Sequence, residues 1–230
     1  MYDLNWDVIV RNRDAFIDGL RLSLTLALIG LVIGSVIGLL LAFARTSRYA
    51  LVRVPAAVYV EVFRNVPLLL LIFIFYFGFP IFAYQTFSRD IADLLVFEQN
   101  GSFVVALSIY AGAYLTEIFR AGILSVGRRY LDAGRSIGLT RFGLVRYVTL
   151  PIMLRTVLPS LSNTFISLFK DTALASAISV DELFYAAREL GTNSFRVVEA
   201  YSTIWVLYLV TSYALAFGLR AVERRIRWSV

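Results

Sequence analysis

Residues 22–44 read LSLTLALIGLVIGSVIGLLLAFA. No position in this stretch is charged, and only Ser, Thr and Gly interrupt the apolar run. A membrane-spanning helix needs about 20 mostly apolar residues, so the stretch predicts a transmembrane helix. Gly30, Gly34 and Gly38 recur at every fourth position. Such a ridge of small residues lets a second helix approach closely, which points to bundle packing rather than a pore lining.

Four further runs repeat the pattern. The second extends from about Ala56 to Phe82 and holds Glu61, Arg64 and Pro67 ahead of the uncharged Leu68–Phe77. The third covers Phe103–Leu124, with Glu117 and Arg120 near its end. The fourth, Met153–Phe169, is more polar, with Pro159, Ser160, Ser162, Asn163, Thr164 and Ser167 along it. The fifth covers Val197–Val222. The apolar segment Thr172–Val180 is too short to span, so it re-enters the membrane or packs inside the bundle. The expected fold is an all-α membrane protein with about five transmembrane helices in one domain over residues 1–230.

Composition agrees. Of 230 residues, 59% are hydrophobic and 17% charged, with mean hydropathy +0.75. A soluble domain carries about 45–50% apolar and about 25% charged residues. The absence of Cys excludes a disulfide framework, a thiolate nucleophile and a Cys metal site. The absence of His excludes histidine triads, His–metal sites and His proton relays. The net charge of +6 fits the cytoplasmic loops of a membrane protein better than nucleic-acid binding. Met1 to Asp7 holds two Asp and no basic residue, so no cleavable signal is expected and the first span directs insertion.

Basic residues set the orientation. Arg45, Arg48 and Arg53 follow the first run. Arg128, Arg129, Arg135, Arg141 and Arg146 lie between the third and fourth, flanked by Arg120 and Arg155. Arg220, Arg224, Arg225 and Arg227 close the fifth. The remaining loops carry the acids, among them Asp18, Asp90, Asp93, Asp181, Glu182 and Glu189. The N-terminus is therefore outside and the C-terminus inside.

The cytoplasmic segment 125–150 is too long for a simple turn and predicts two short helices. The first covers Arg129–Ile137, with Asp132 in its first turn, where a carboxylate suits the helix dipole. Gly138 stands where a left-handed cap is wanted. Thr140 caps a second helix, Arg141–Val148, and Pro151 occupies a tolerated position at the start of the fourth span. Tyr130, Leu131, Ile137, Leu139 and Phe142 give the unit an apolar side opposite a basic one. Such a hairpin either lies on anionic lipid or docks into a groove on a cytoplasmic partner.

Asp132-Ala133-Gly134, three residues, Gly138, nine residues, then Val148-Thr149-Leu150-Pro151 resembles the EAA loop of binding-protein-dependent ABC importer permeases. The family pattern has Glu where Asp132 stands and Ala where Gly134 stands; the spacing matches throughout. Further stretches resemble the polar amino acid subgroup: Tyr59 to Pro67 (YVEVFRNVP), Glu117 to Val126 (EIFRAGILSV), Leu158-Pro159-x3-Asn163, and Lys170-Asp171-Thr172-Ala-Leu174. The resemblance covers about residues 19–225. The resemblance implies a type I ABC importer permease (MetI-like) fold in a bacterial-type plasma (inner) membrane. It implies pairing with a second permease as a homodimer or heterodimer. Two ABC ATPase subunits would bind from the cytoplasm, and a periplasmic or extracellular binding protein would deliver amino acid. Tyr130, Asp132, Ala133, Gly134, Gly138 and Leu139 would form the ATPase contact, with small residues at 133 and 134 suited to a socket.

No Gly-x4-Gly-Lys-Ser/Thr pattern occurs, so the chain is not expected to bind a cofactor or to hydrolyse ATP. ATP and Mg would belong to the partner ATPase. Ionisable groups at membrane depth are candidate functional sites. Glu61 and Arg64 share a helix face, as an internal ion pair or as partners for the charged ends of an amino acid on the translocation path, with Pro67 kinking the helix. Glu117 and Arg120 repeat that spacing nearer the cytoplasm, as an interfacial salt bridge. Asn163 and Ser167 are spaced to hydrogen-bond substrate or a neighbouring helix. Lys170 and Asp171 end the fourth span as a gate, a cap or a snorkelling pair. The aromatics from Phe73 to Tyr84 form an interfacial belt, and 85–99 and 181–196 predict outer surface helices.

The expected function is ATP-driven import of polar amino acids, leaning acidic or broad, by alternating access. The alternatives are an ion-coupled secondary amino acid transporter subunit, which would normally show internal repeats, and a non-transporting membrane scaffold or channel. The first would be revealed by uptake without ATP, the second by conductance without an ATPase.

Overall fold

The computed structural model describes residues 3–227, with side chains through Arg225. Met1 and the Arg227 side chain therefore lie outside the described residues. In chain order the helices are α1 Asp7–Arg11, α2 Arg13–Arg45, α3 Ala50–Asn65, α4 Leu68–Phe73, α5 Phe79–Thr86, α6 Arg89–Leu95 and α7 Gln99–Leu124. They continue as α8 Arg128–Ser136, α9 Arg141–Leu144, α10 Leu150–Asp171, α11 Leu183–Ser194 and α12 Val197–Arg227. A π-helical turn, Ile74–Gly78, joins α4 to α5, and another, Val145–Thr149, joins α9 to α10. A 3-10 turn, Thr172–Ile178, continues α10. Among the described residues all regular structure is helical.

Five helical stretches are long and apolar enough to cross a membrane: Arg13–Arg45, Leu68–Thr86, Gln99–Leu124, Arg141–Ile178 and Val197–Arg225. The expected second span is corrected. Residues 56–82 do not form one kinked helix. Pro67, at φ −58° and ψ 136°, separates α3 from α4. Proline lacks an N–H and pushes the preceding residue out of the α region, so α3 stops at Asn65 and the span begins at Leu68. The loop's second helix is likewise corrected: it does not end before the fourth span but runs into it. Both π turns have the same cause. Pro80 and Pro151 cannot donate to the carbonyls of Tyr76 and Tyr147, four residues earlier, and each of those tyrosines lies in a π turn. Widening the helix there accommodates the missing donor.

The described residues group into two compact units. One comprises Met1–Leu31, Val66–Ser108 and Phe165–Leu215; the other comprises Val32–Asn65, Ile109–Thr164 and Ala216–Val230. In the first, Gly30 of α2 packs on Leu107, with the position of an added Cβ 2.6 Å from Leu107 Cδ2. The core of its α11 region joins Phe16, Leu183, Ala187, Ala200 and Ile204. The Thr172–Ile178 turn buries Thr172, Ala175, Ser176 and Ile178, so the short apolar segment packs inside the unit. In the second unit, an added Cβ at Gly38 would lie 3.0 Å from the backbone of Leu115 and Thr116 in α7. The glycine ridge thus serves close helix approach, as its spacing predicts. Helices α6 and α11 form within the two segments, 85–99 and 181–196, where short helices are expected.

Candidate functional site

The loop between α7 and α10 folds on local signals. Gly138 adopts φ +83°, a left-handed cap that glycine takes without Cβ strain. Thr140 Oγ1 accepts a hydrogen bond from Gly143 N at 3.1 Å and caps α9. Asp132 Oδ1 accepts from Arg135 Nη1 at 2.8 Å on the exposed face of α8. Ala133 is exposed on the same helix.

Gly134 differs from expectation. It is buried, and a Cβ there would lie 2.6 Å from Leu144 Cδ2, 3.3 Å from Leu139 Cδ1 and 3.4 Å from Val148 Cγ2. Its smallness lets α8 settle on the α9 segment and the π turn, so it is not an open socket. Leu139 is half-buried in that packing. Of the residues expected on the apolar side, Ile137 is 79% exposed, Phe142 72% and Tyr130 46%, and Leu131 and Leu139 are half-buried, whereas Gly134 and Leu144 are buried within the loop. The exposed part of the unit therefore combines projecting apolar side chains with Arg128, Arg129 and Arg135.

The candidate substrate residues lie on two helices, α3 and α10. Glu61 and Arg64 lie on α3, outside the candidate spans, and do not pair with each other. The Arg64 guanidinium sits 5.4 Å from the centroid of the Tyr114 ring, a cation–π contact. The Arg64 carbonyl, freed at the end of α3, accepts from Tyr114 Oη at 3.3 Å. Glu61 is exposed, and its carbonyl accepts from Asn65 Nδ2 at 2.6 Å. On α10, Asn163, Ser167 and Lys170 are each exposed, and Asp171 is half-buried.

Glu117 and Arg120 form the expected ion pair: Oε2 lies 2.8 Å from Arg120 Nη2 and accepts from Nε at 2.9 Å. A third member escaped the sequence reading. Arg45, at the end of α2, places Nη1 2.7 Å from Glu117 Oε1, in charge contact without hydrogen-bond alignment. The three side chains are only 20–34% exposed, so this triad ties α2 to α7 in a partly desolvated setting.

Glu182, expected among the exposed outer acids, is fully buried. Its carboxylate caps α11, accepting from Phe184 N at 2.9 Å and Tyr185 N at 2.8 Å. Ser23 Oγ donates to it at 3.3 Å and Tyr208 Oη at 3.2 Å. Burial pushes this carboxyl above its ordinary value, and the four hydrogen bonds pull it back down. The available signal was an acidic residue just before Leu183, an N-cap pattern. Glu199 is also fully buried and accepts from Asn5 N at 2.8 Å.

Five candidate spans and this helical loop point to an inner-membrane transport component of the binding-protein-dependent type. The chain belongs to the family described as binding-protein-dependent transport system inner membrane component, which matches residues 30–228. It is 36% identical to the glutamine transport system permease protein GlnP of Escherichia coli (strain K12), over 97% of this chain and 98% of that one. It is 34% identical to the L-cystine transport system permease protein TcyB of Bacillus subtilis (strain 168), over 96% of this chain and 91% of that one. Among solved structures, an amino acid ABC transporter crystallised with histidines matches with a TM-score of 0.84 at 30% identity, covering 97% of this chain and 100% of that chain. An inward-facing MetNI methionine ABC transporter shares the fold, with a TM-score of 0.71 at 18% identity over 92% of this chain and 95% of that chain. The chain is thus a multi-pass amino acid ABC transporter permease of the inner membrane, a transport subunit whose ATPase is a separate chain.

Proposed function

We propose that this permease imports polar amino acids, with an acidic or broad preference, by ATP-driven alternating access. The observation that carries the proposal is the exposed face of α8, where Tyr130, Asp132 and Ala133 stand clear of a loop locked by Gly134 and Gly138. A rigid, basic, apolar-tipped helix suits a groove on a cytoplasmic partner. That partner is a pair of ABC ATPase subunits, which bind ATP and Mg and drive the spans through the loop. A second permease subunit completes the path, and a binding protein delivers amino acid from outside. Glu61, Arg64, Asn163, Ser167, Lys170 and Asp171 are each a candidate polar or charged contact for the amino acid along its path. The relatives whose names specify glutamine and L-cystine support a polar substrate.

The chain has no cysteine, so Ala133→Cys supplies a unique thiol. A bifunctional maleimide reagent is expected to cross-link it to the ATPase in the assembled complex, whereas a cysteine at Arg89 on α6 remains unlinked. Equal linkage at both positions, or none at Ala133, would refute the docking assignment.

A further inference from the structure

In the unit containing α3, a cavity of about 440 Å³ is lined by Arg45, Arg53, Arg120 and Glu61, with Val58 and Val62 on one wall. Arg45 closes the candidate span Arg13–Arg45, and Arg120 lies in the last two turns of Gln99–Leu124. The cavity therefore sits where two spans meet the membrane interface, and α3 lies outside every candidate span. Glu117 holds Arg45 at 2.7 Å and Arg120 at 2.8 Å. Arg53 is exposed, and among the described residues it forms no ion pair.

The α3 surface beside this cavity is apolar. Leu51, Val54, Val58 and Val62 are all exposed, and their spacing puts them on one helix face. An amphipathic helix with an uncovered apolar face beside the membrane buries that face at the boundary between headgroups and acyl chains. Charge then selects the occupant. Three guanidinium groups stand against two carboxylates, Glu61 on the wall and Glu117 as the anchor, which leaves an excess of one positive charge. A phospholipid phosphodiester carries one negative charge. A second copy of this chain seated on the same face by two-fold symmetry would instead bring like arginines together. The basic residues mark this end as cytoplasmic, and the cytoplasmic leaflet is the one that carries anionic lipid.

We propose that this cavity holds the headgroup of an anionic phospholipid, with its acyl chains lying along the Leu51–Val62 face of α3. Arg53 supplies the open donors, since a guanidinium forks onto two phosphate oxygens. Arg45 and Arg120, already fixed by Glu117, add positive potential behind it. Glu61 opposes the phosphate and restricts the site to a singly charged headgroup. The bound lipid fastens α3 to the α2–α7 ion triad. This inference is independent of which solute the permease carries.

The test uses native mass spectrometry of the delipidated permease–ATPase complex in detergent, titrated with dioleoylphosphatidylglycerol or dioleoylphosphatidylcholine. Phosphatidylglycerol is expected to bind saturably and about tenfold more tightly than phosphatidylcholine. Arg53→Gln is expected to weaken phosphatidylglycerol by about tenfold, and Arg53→Lys by less. Glu61→Gln is expected to leave that binding equal or tighter, and Arg89→Gln on α6 to leave it unchanged. Co-purification with the ATPase verifies the fold of every variant. Equal binding of the two lipids, or phosphatidylglycerol binding unaffected by Arg53→Gln, would overturn the proposal. Displacement of the lipid by millimolar inorganic phosphate would assign the arginines to a soluble anion instead, and weakening by Glu61→Gln would contradict the charge argument.

Discussion

Gly134→Leu separates packing from docking in the cytoplasmic loop. An added Cβ already comes within 2.6 Å of Leu144 Cδ2, and Leu139 and Val148 close the remaining sides at 3.3 and 3.4 Å. The three further carbons of leucine enter filled space, so overpacking costs up to about 3 kcal/mol. Replacing a helical glycine returns about 0.8–1 kcal/mol of helix propensity. The net loss is about 2 kcal/mol, concentrated where α8 meets α9. Ala133→Leu, one residue away on the exposed face, should change stability by no more than about 0.5 kcal/mol. Limited proteolysis of the loop in the permease without ATPase reads the first effect, and ATPase co-purification reads the second. Gly134→Leu should cleave faster in the absence of any ATPase, and Leu144→Ala combined with it should restore much of the protection. Ala133→Leu should resist cleavage as the parent does and yet retain less ATPase. Wild-type protection in Gly134→Leu, or no recovery with Leu144→Ala, would refute the inward packing of Gly134.

Gly38→Ala should lower the thermal midpoint more than Gly30→Ala, because the obstructing atoms at Gly38 include the Leu115 and Thr116 backbone, while those at Gly30 belong to the Leu107 side chain; equal midpoints would count against the close α2–α7 approach at Gly38. Glu117→Gln leaves Arg45 and Arg120 without their shared carboxylate and should cost about 2 kcal/mol, read as a lower midpoint that added salt partly restores. For Glu182, whose folded carboxyl titrates above the ordinary 4.5, the native state keeps its proton where the unfolded chain has lost it, so this group's contribution to stability falls as pH rises above 4.5 through the raised folded value. The difference in midpoint between wild type and Glu182→Gln, followed from about pH 4 to about pH 8, should show that fall; a difference flat with pH would overturn the assignment.

Local signals were legible in the sequence because they act over a few residues. The left-handed Gly138, the Thr140 cap, the Glu117–Arg120 spacing and the five apolar stretches all follow from neighbours within one or two turns. The misread features depend on distant partners. Glu182 resembled one more outer acid because Ser23 and Tyr208, which bury it, lie 159 and 26 residues away. Arg64 resembled a partner for Glu61, yet the Tyr114 ring that receives it is 50 residues on. Pro67 was ambiguous for another reason: proline inside a membrane helix is compatible with a kink or a stop. Gly134 fitted the family motif equally well facing out or in, and only the placement of Leu144 decides it.

The most direct measurement is uptake by proteoliposomes holding this permease with its co-purifying ATPase and any sister permease. The cognate binding protein and a panel of labelled amino acids are placed on one side and ATP on the ATPase side. Accumulation of polar amino acids only when ATP is present is the expected result. Uptake that persists without ATP under an ion gradient would contradict ATP-driven import through this chain.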